Sequence, residues 1–206
     1  MLTLYVNVVN GVWFGVAYED ETVFATAFAF DRDQALRNLL RNIPFNVPFQ
    51  HLEGPSEFAE KVVLSLVNIY NGKGCAEKFS LAMSSQSAYA QKVLKTVSSI
   101  PVGYVASYGS VARAAGGSPR AVGRVMSLNP LPLLIPCHRV VASDFTLGGY
   151  SAGLNVKLEI LKRERRGYNA TKEIKVDGNA LQVFPVEFIL KSCLNSANNK
   201  SLALNV

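Results

Sequence analysis

The chain has 206 residues, of which 49% are hydrophobic and 17% charged, so it can bury a core and is not an intrinsically disordered protein. No apolar run approaches the length of a membrane span and no basic residue precedes the apolar N-terminus, so we expect an intracellular protein, cytoplasmic or, in a eukaryote, nuclear. The net charge of +6 is concentrated in residues 85–169, which carry +8, whereas residues 1–84 carry −3. A basic segment of this kind indicates either a solvated basic surface or a polyanionic partner such as nucleic acid.

The cysteine content argues against a disulfide scaffold. Cys75, Cys137 and Cys193 lie far apart and form no CxxC pair, and the chain has only two histidines. A structural zinc site would have to be assembled from isolated residues, so we expect no metal and no cofactor. Whether Cys75 and Cys193 pair with each other is left open.

Residues 2–30 are predicted to form strands. Three runs rich in β-branched and aromatic residues follow one another. Asn10-Gly11 separates the first two runs, and the acidic stretch EDET at 19–22 separates the second pair. Both separators are typical of β-hairpin connections.

The rest of the N-terminal part is predicted to be helix and loop. A helix capped by Asp31 is followed by a proline-rich loop at 44–55, and a second helix ends near Gly72. We therefore expect residues 1–84 to form a small α+β domain with a short antiparallel sheet.

Residues 85–169 are predicted to be mainly helical. The serine-rich stretch at 83–87 precedes a helix that runs to about residue 98, and residues 100–105 form a connector. Two short helical segments then flank Gly116-Gly117. This arrangement is typical of a helix-turn-helix, although many helical hairpins share it.

The second of these short helices has two unlike sides. Ser118 suits the N-cap position, and Asn129-Pro130 ends the helix. The apolar side carries Val122, Val125 and Met126, and the other side carries Arg120, Gly123, Arg124 and Ser127. A glycine inside a helix costs roughly 1 kcal/mol relative to alanine, so it indicates close helix packing or close approach of a partner. The adjacent arginines favour a nucleic-acid backbone.

The stretch PCHR places Cys137 directly before His138. The cysteine could be a buried structural thiol, a metal ligand or a nucleophile, and a nucleophile needs a pKa below the usual value of about 8.5. Adjacent side chains on an extended strand point to opposite sides, so direct cooperation requires a turn or a bridging water. Pro136 is compatible with such a turn.

A carboxylate further along the chain could orient the histidine. Glu164 shares a helical face with Ile160 and Leu161, so it would point inward and need a polar partner. A Glu–His–Cys chain would satisfy that need. The alternative is a frayed helix end at which Glu164 pairs with a neighbouring arginine in solvent.

Several motifs together carry a specific resemblance. In order they are SYGSVARAA, SPRAVG, NPLP, IPCHRVV, GGYSAG and the terminal Glu164, spread over roughly residues 85–168. This stretch strongly resembles the O6-alkylguanine-DNA alkyltransferase family. The resemblance implies an α+β fold with a ribonuclease H-like domain at 1–84 and a helical DNA-binding and catalytic domain with a helix-turn-helix at 85–169. Residues 170–206 would be a partly flexible extension.

The resemblance also implies a reaction. In this family a cysteine thiolate removes the alkyl group from O6 of a guanine in double-stranded DNA and keeps it, so that each molecule reacts once. The protein would act as a monomer that binds the minor groove, flips the base out of the duplex and contacts no membrane.

Residue roles follow from the same motifs. Cys137 matches the alkyl acceptor, His138 the base that deprotonates it through a water, and Glu164 the acid that holds the histidine. Tyr108 matches the proton donor to the leaving guanine, and Asn129 the link between recognition helix and active-site turn. DNA binding is implied for Arg120, which replaces the flipped base in the stack, and for Gly123, Arg124, Ser127 and Tyr108. The pocket would be lined by Pro136, Val140, Tyr150 and Ser151, with the carbonyls of Cys137 and Val140 receiving the guanine amino group.

The sequence departs from the family pattern at two positions and beyond residue 169. Arg124 and Ala152 stand where glycine is common, which predicts an added phosphate contact and a narrower pocket. In the tail, Asp177-Gly178 predicts a hairpin, and the Asn/Ser-rich end is expected to be mobile.

Three other classes of protein remain as alternatives. A non-catalytic DNA-damage-binding protein of the same fold would lack the cysteine. A helix-turn-helix regulator would leave PCHR and Glu164 unexplained. A Cys-His hydrolase would leave the basic helix without a role.

Overall fold

The computed structural model describes residues 1–43, 46–51, 54 and 56–203, with side chains as far as residue 194. It has a mixed α/β fold with two small sheets, and the chain divides into two compact units. The first unit contains residues 1–91 and 128–135, and the second contains residues 92–127 and 136–206. Within the described residues, no helix combines the length and apolar character that a membrane span requires.

The first unit is built on a five-stranded sheet. Its strands are β1 (Leu2–Val9), β2 (Val12–Glu19), β3 (Thr22–Ala29), β4 (Phe49–His51) and β5 (Ser80–Leu81), in the order β4-β1-β2-β3-β5. Both predicted hairpins are present, and Asn10 and Gly11 adopt the left-handed backbone of a tight turn at φ 50° and 77°. The edge strands β4 and β5 pair parallel to β1 and β3, so the sheet is mixed rather than purely antiparallel as expected.

Strand β4 also corrects the expected loop at 44–55. Its three residues are exposed and show no alternation, so periodicity cannot reveal them. They become a strand because the open edge of β1 offers unpaired backbone groups. Residues 44, 45, 52, 53 and 55 of the predicted loop lie outside the described residues.

Two capped helices pack on this sheet. Helix α1 (Arg32–Leu40) begins at Asp31, whose carboxylate accepts from Gln34 N at 2.8 Å. Helix α2 (Glu57–Tyr70) is capped by Ser56 and is followed by Gly72 at φ 77°. Gly15 permits the approach of α1, since a Cβ there would lie 2.7 Å from Leu39 Cδ1. The predicted start and end of each helix are therefore confirmed to within a few residues.

The second unit combines helices with a four-stranded sheet. In chain order its elements are the end of α3 (Ala88–Ser98), β6 (Tyr104–Ser107), α4 (Tyr108–Ala115), α5 (Pro119–Ser127), β7 (Val140–Val141), α6 (Leu154–Arg163), β8 (Lys172–Val176), β9 (Asn179–Pro185) and α7 (Val186–Ala203). The sheet order is β7-β6-β9-β8, with β6 and β7 parallel and the other pairs antiparallel. A shared core contains Val105, Val141, Leu161, Val186 and Ile189.

The C-terminal part contains a hairpin and a long helix. The predicted hairpin forms at Asp177 and Gly178, with φ of 49° and 82°. Residues 104 and 105, expected in a connector, belong to β6 because they pair with β9, a partner that lies about 80 residues away and leaves no local signal. Helix α7 extends to Ala203, residues 204–206 lie outside the described part of the chain, and the mobility expected for the Asn/Ser-rich end stays a prediction.

Candidate active site

The residues Cys137, His138 and Arg139 form one turn of 3₁₀-helix. The turn closes when Arg139 N donates to Pro136 O at 2.9 Å and Val140 N donates to Cys137 O. The Cys137 side chain is 8% exposed. The backbone here is therefore a turn and not an extended strand, so the side chains of Cys137 and His138 need not lie on opposite sides.

Glu164, at the C-terminal end of α6, lies at the centre of a buried ionic cluster that it forms with residues of this turn. Its Oε1 is 3.0 Å from His138 Nε2 and accepts from Arg139 Nη2 at 2.7 Å, while Arg139 Nε lies 3.0 Å from both carboxylate oxygens. His138 and Glu164 are fully buried. The structure thus brings Glu164 and His138 together, and the solvent-exposed alternative for Glu164 is wrong.

Arg139 is a member of this cluster that the sequence reasoning missed. Its side chain is 8% exposed, and Nη1 donates to Ile100 O at 2.7 Å. A buried guanidinium is retained only when its charge and donors are satisfied, and Glu164 satisfies them with near-bidentate geometry. The sequence held one signal of this burial, because Arg139 lies directly before the apolar run VVA.

The electrostatics of the cluster favour a carboxylate beside a neutral imidazole. Burial alone raises the pKa of Glu164, but the charges and hydrogen bonds of His138 and Arg139 outweigh burial and lower the pKa to about 2. Burial lowers the pKa of His138, and the Glu164 carboxylate raises that pKa by less than burial lowers it. Nδ1 of His138 is buried and has no hydrogen-bond partner among the described residues, so a neutral ring that donates from Nε2 leaves a lone pair there.

Lys157 is the second buried cation that the sequence reasoning missed. Its Nζ donates to Val140 O and Leu147 O at 2.6 Å and to Gly149 O at 3.2 Å. Burial lowers the pKa of Lys157 to about 8, and the nearby Cys137 acts in the opposite direction. The signal lay in the helical stripe that joins Lys157 to Ile160, Leu161 and Glu164, since a lysine on that inward face needs acceptors.

Tyr108 opens α4 and contacts the β7–α6 loop, residues 142–153. Its ring lies close to Gly148, where a Cβ would be 3.0 Å from Cε2. Burial raises the pKa of Tyr108, a backbone hydrogen bond from Gly149 opposes the rise, and Cys137 adds to it. The hydroxyl is therefore protonated at neutral pH and lies within electrostatic range of the Cys137 thiol.

Helices α4 and α5 form a hairpin around Gly116 and Gly117, whose φ angles are 85° and 89°. Ser118 caps α5 by accepting from Ala121 N at 3.3 Å. Val122 is buried, whereas Arg120, Arg124 and Ser127 are exposed. The helix therefore presents the arginine-bearing side to solvent, as its two unlike sides predict.

The other residues predicted for the site differ in their burial. Asn129 is buried and links Leu131 N to Ile135 O inside the segment that precedes Pro136. Pro136 and Val140 are buried in the turn, and the ring centroid of Tyr150 lies 5.9 Å from Lys157 Nζ. Ser151 is exposed, and the exposed residues of α5 are not part of the buried cluster around Glu164. Among the described residues, none of the three cysteines forms a disulfide, so Cys75 and Cys193 do not pair with each other.

Comparison with known proteins gives a consistent result. Residues 88–166 match the family model described as 6-O-methylguanine DNA methyltransferase, DNA binding domain. A methylated-DNA–protein-cysteine methyltransferase from Thermococcus kodakarensis is 33% identical over 162 residues, which are 74% of this chain and 88% of the relative. One from Methanothermobacter thermautotrophicus is 45% identical over 94 residues, which are 44% of this chain and 53% of the relative. The chain spans about half the length of several such curated relatives.

A solved structure agrees over most of the chain. The O6-methylguanine-DNA methyltransferase of the hyperthermophilic archaeon Pyrococcus kodakaraensis strain KOD1 superimposes with a TM-score of 0.61 at 31% identity. The alignment covers 80% of this chain and 99% of that protein. By sequence and by fold, the chain therefore belongs to the methylated-DNA–protein-cysteine methyltransferase family.

Proposed function

We propose that this protein repairs alkylated DNA by moving the alkyl group from O6 of guanine to Cys137 Sγ. The thiolate attacks the alkyl carbon, a carbon–sulfur bond forms and the carbon–O6 bond breaks. The thiol proton is lost to the protein and a proton is returned to guanine, so the products are an S-alkyl cysteine and unmodified guanine. The thioether is stable, so each molecule reacts once.

The observation that carries this proposal is the buried hydrogen bond between Glu164 and His138, the residue that follows Cys137 in the same turn. A neutral imidazole can accept a proton, and the carboxylate stabilises the imidazolium that results. We assign the acceptor role to Nδ1 of His138, acting through a water. The ammonium of Lys157, which interacts electrostatically with Cys137, adds a positive charge that favours the thiolate.

Tyr108 supplies the proton that guanine needs as a leaving group. Its raised pKa keeps the hydroxyl protonated, and protonation of the departing base lowers the barrier to its release. The pocket is formed by Pro136, Val140, Tyr150 and Ser151. The Val140 carbonyl already accepts from Lys157, and its second lone pair remains available for the guanine amino group.

DNA binding is assigned to α4 and α5 acting as a helix-turn-helix against the minor groove. Arg120 enters the base stack behind the flipped guanine, Gly123 lets the backbone approach closely, and Arg124 and Ser127 contact phosphates. Flipping is required because a duplex base cannot reach a buried thiol. Asn129 holds the segment that joins α5 to the active-site turn.

The organisation of the whole chain follows from these roles. Residues 85–169 carry binding and catalysis, residues 1–84 form a ribonuclease H-like domain, and residues 170–206 form an extension. The protein acts as a monomer without a cofactor. A protein that repairs genomic DNA works where the genome lies, in the cytoplasm or, in a eukaryote, the nucleus.

The test is transfer of label from duplex DNA that contains O6-methylguanine with a labelled methyl group. The wild type is expected to acquire label, Cys137→Ala to lose transfer while it keeps DNA affinity, and Cys75→Ala to react normally because that exposed thiol lies outside the site. A wild type that binds the damaged duplex but acquires no label would overturn the proposal and favour a non-catalytic damage-binding protein.

A further inference from the structure

The C-terminal extension packs against the loop that reaches Tyr108. The extension, residues 170–203, begins beyond the part of the chain that matches the family model, residues 88–166. It consists of β8, β9 and α7 and contributes Val186 and Ile189 to the core of the second unit.

Phe145 is the first point of contact between the extension and the β7–α6 loop. Its ring meets Phe184 of β9 at a centroid distance of 5.2 Å and Phe188 of α7 at 5.7 Å, both edge to face. The backbone of Phe145 has φ 61°, a left-handed conformation that a bulky residue keeps only when its surroundings enforce it. A local turn holds this conformation, since Phe145 N donates to Ala142 O at 3.2 Å and Ala142 N donates to Thr146 O at 3.1 Å, and the two rings of the extension pack against the Phe145 side chain of that turn.

Leu147 connects this contact to the active site. Its side chain packs on the same core cluster, while its carbonyl accepts from Lys157 Nζ at 2.6 Å. The next residues, Gly148 and Gly149, lie against the ring and hydroxyl of Tyr108. The extension therefore contacts Phe145, and the backbone of the loop leads from Phe145 through Leu147 to the two glycines that lie against Tyr108.

The extension also holds Tyr108 from its other side. Strand β9 pairs with β6, with Val105 opposite Phe184, and β6 ends at Ser107, the N-cap of α4. Tyr108 is the first residue of that helix. Both the strand that leads into Tyr108 and the loop that covers its ring are thus fixed by residues of the extension.

We propose that the C-terminal extension positions Tyr108 for alkyl transfer, and that Phe184 and Phe188 do so by fixing Phe145 and the β7–α6 loop. The extension contacts no reacting atom, so these are positioning residues. The inference rests on the proposed function, because it assigns the extension to that same site.

The test uses the full chain and compares Phe188→Ala with Leu194→Ala, a truncation of a 65% exposed side chain on the same helix. Single-turnover rates are measured at saturating concentration with free benzylguanine and with a duplex that contains O6-methylguanine. We expect Phe188→Ala to slow the limiting rate by about tenfold on both substrates, because catalysis is sensitive to small misplacement. DNA affinity should not change, Phe188→Leu should restore most of the rate, and Leu194→Ala should match the wild type.

Hydrogen exchange supplies a readout that general destabilisation would not reproduce. Amides at 145–149 should exchange faster in Phe188→Ala than in Leu194→Ala, measured below the melting temperature of both. Wild-type rates for Phe188→Ala, or slower transfer without faster exchange at 145–149, would overturn the inference. If Phe188→Ala does not fold, Phe184→Ala decides with the same two readouts, and wild-type rates and exchange in that variant would also overturn the inference.

The outcomes separate this inference from the proposed function. A wild type that transfers no alkyl group defeats the proposed function and with it the role of the extension in that reaction. A wild type that transfers normally, together with a Phe188→Ala variant that does the same, defeats the positioning role alone.

Discussion

Four buried ionisable side chains, His138, Arg139, Lys157 and Glu164, lie in or against the turn that carries Cys137, and each has a partner that explains its burial. Glu164 is neutralised by Arg139 and hydrogen-bonded to His138, while Lys157 donates to backbone carbonyls. Removing one partner of a buried ion pair leaves an uncompensated charge, which costs about 3–5 kcal/mol. The site is therefore expected to be sensitive to changes that alter charge without altering shape.

Glu164→Gln tests the role of the carboxylate in the chemistry. A neutral amide stabilises an imidazolium less than a carboxylate does, so the pKa of His138 falls further and thiolate formation requires a higher pH. We expect transfer to slow by about a hundredfold at neutral pH and the pH–rate profile to move upward. Single-turnover rates across pH, at a temperature where the variant is folded, provide the measurement. An unchanged profile would assign Glu164 a structural role only.

The same carboxyl group makes a defined contribution to stability. Its pKa falls from 4.5 to about 2 on folding, so the unfolded chain binds more protons between those values. The Glu164 carboxylate therefore contributes about 3 kcal/mol to the free energy of unfolding above pH 4.5, and this contribution is lost as the pH falls towards 2. We therefore expect acidification from pH 6 to pH 2 to lower the free energy of unfolding, measured with urea, by about that amount more in the wild type than in Glu164→Gln. Parallel pH dependence in the two proteins would contradict the assigned shift.

Helix α5 is the element whose sequence is least explained by the protein's own packing. Gly123 lies in its interior, yet a Cβ there would meet Tyr108 Cε1 at 3.9 Å, which is ordinary van der Waals contact. Among the described residues, no neighbour therefore excludes a side chain. The DNA contact proposed for the side that carries Arg120 and Arg124 would explain the glycine, because a partner would approach the helix there from solvent.

Gly123→Ala separates folding from DNA contact. Alanine should stabilise the helix by about 1 kcal/mol because it restricts the unfolded chain. It should also weaken binding to duplex DNA, since the methyl group holds the helix away from the phosphates. Denaturation and DNA affinity, measured on the same preparation, give the two results. Tighter or unchanged DNA binding would show that no partner approaches at Gly123.

Arg120→Ala separates base flipping from chemistry. If Arg120 fills the stack behind the flipped guanine, its loss should slow repair of duplex DNA by roughly tenfold to a hundredfold, because flipping costs a few kcal/mol. Free benzylguanine needs no flipping, so its rate should barely change. Arg124→Ala is the matched control, and it should weaken DNA binding uniformly and reduce its salt dependence. Equal slowing of both substrates by Arg120→Ala would place Arg120 in the active site or in the fold.

At the scale of the whole molecule, local signals in the sequence predicted well and distant pairings did not. The hairpin at Asn10-Gly11 and the caps Asp31 and Ser118 depend on neighbours within a few residues, so their patterns are readable. Strands β4 and β6 could not be predicted, because each is formed by pairing with a strand far away in the chain.

The residues of the candidate site divide in the same way, into those that local sequence signals predicted and those whose surroundings come from distant parts of the chain. Cys137, His138 and Glu164 were identifiable from motif and helical face, and their side chains lie in one buried cluster or next to it. Arg139 and Lys157 were missed because a cation inside an apolar run is normally taken as exposed. The acceptors that permit their burial, Ile100 O and Leu147 O among them, are backbone atoms that the sequence does not mark.

The most direct test of the central claim is to map the modified residue after exhaustive reaction with duplex DNA that contains O6-methylguanine. Peptide mass analysis should find one methyl group per molecule, all of it on Cys137, and repair should stop when DNA and protein have reacted in equal amounts. Cys75 and Cys193 should remain unmodified. Repair that continues beyond one event per molecule, or methyl groups on any residue other than Cys137, would contradict the account.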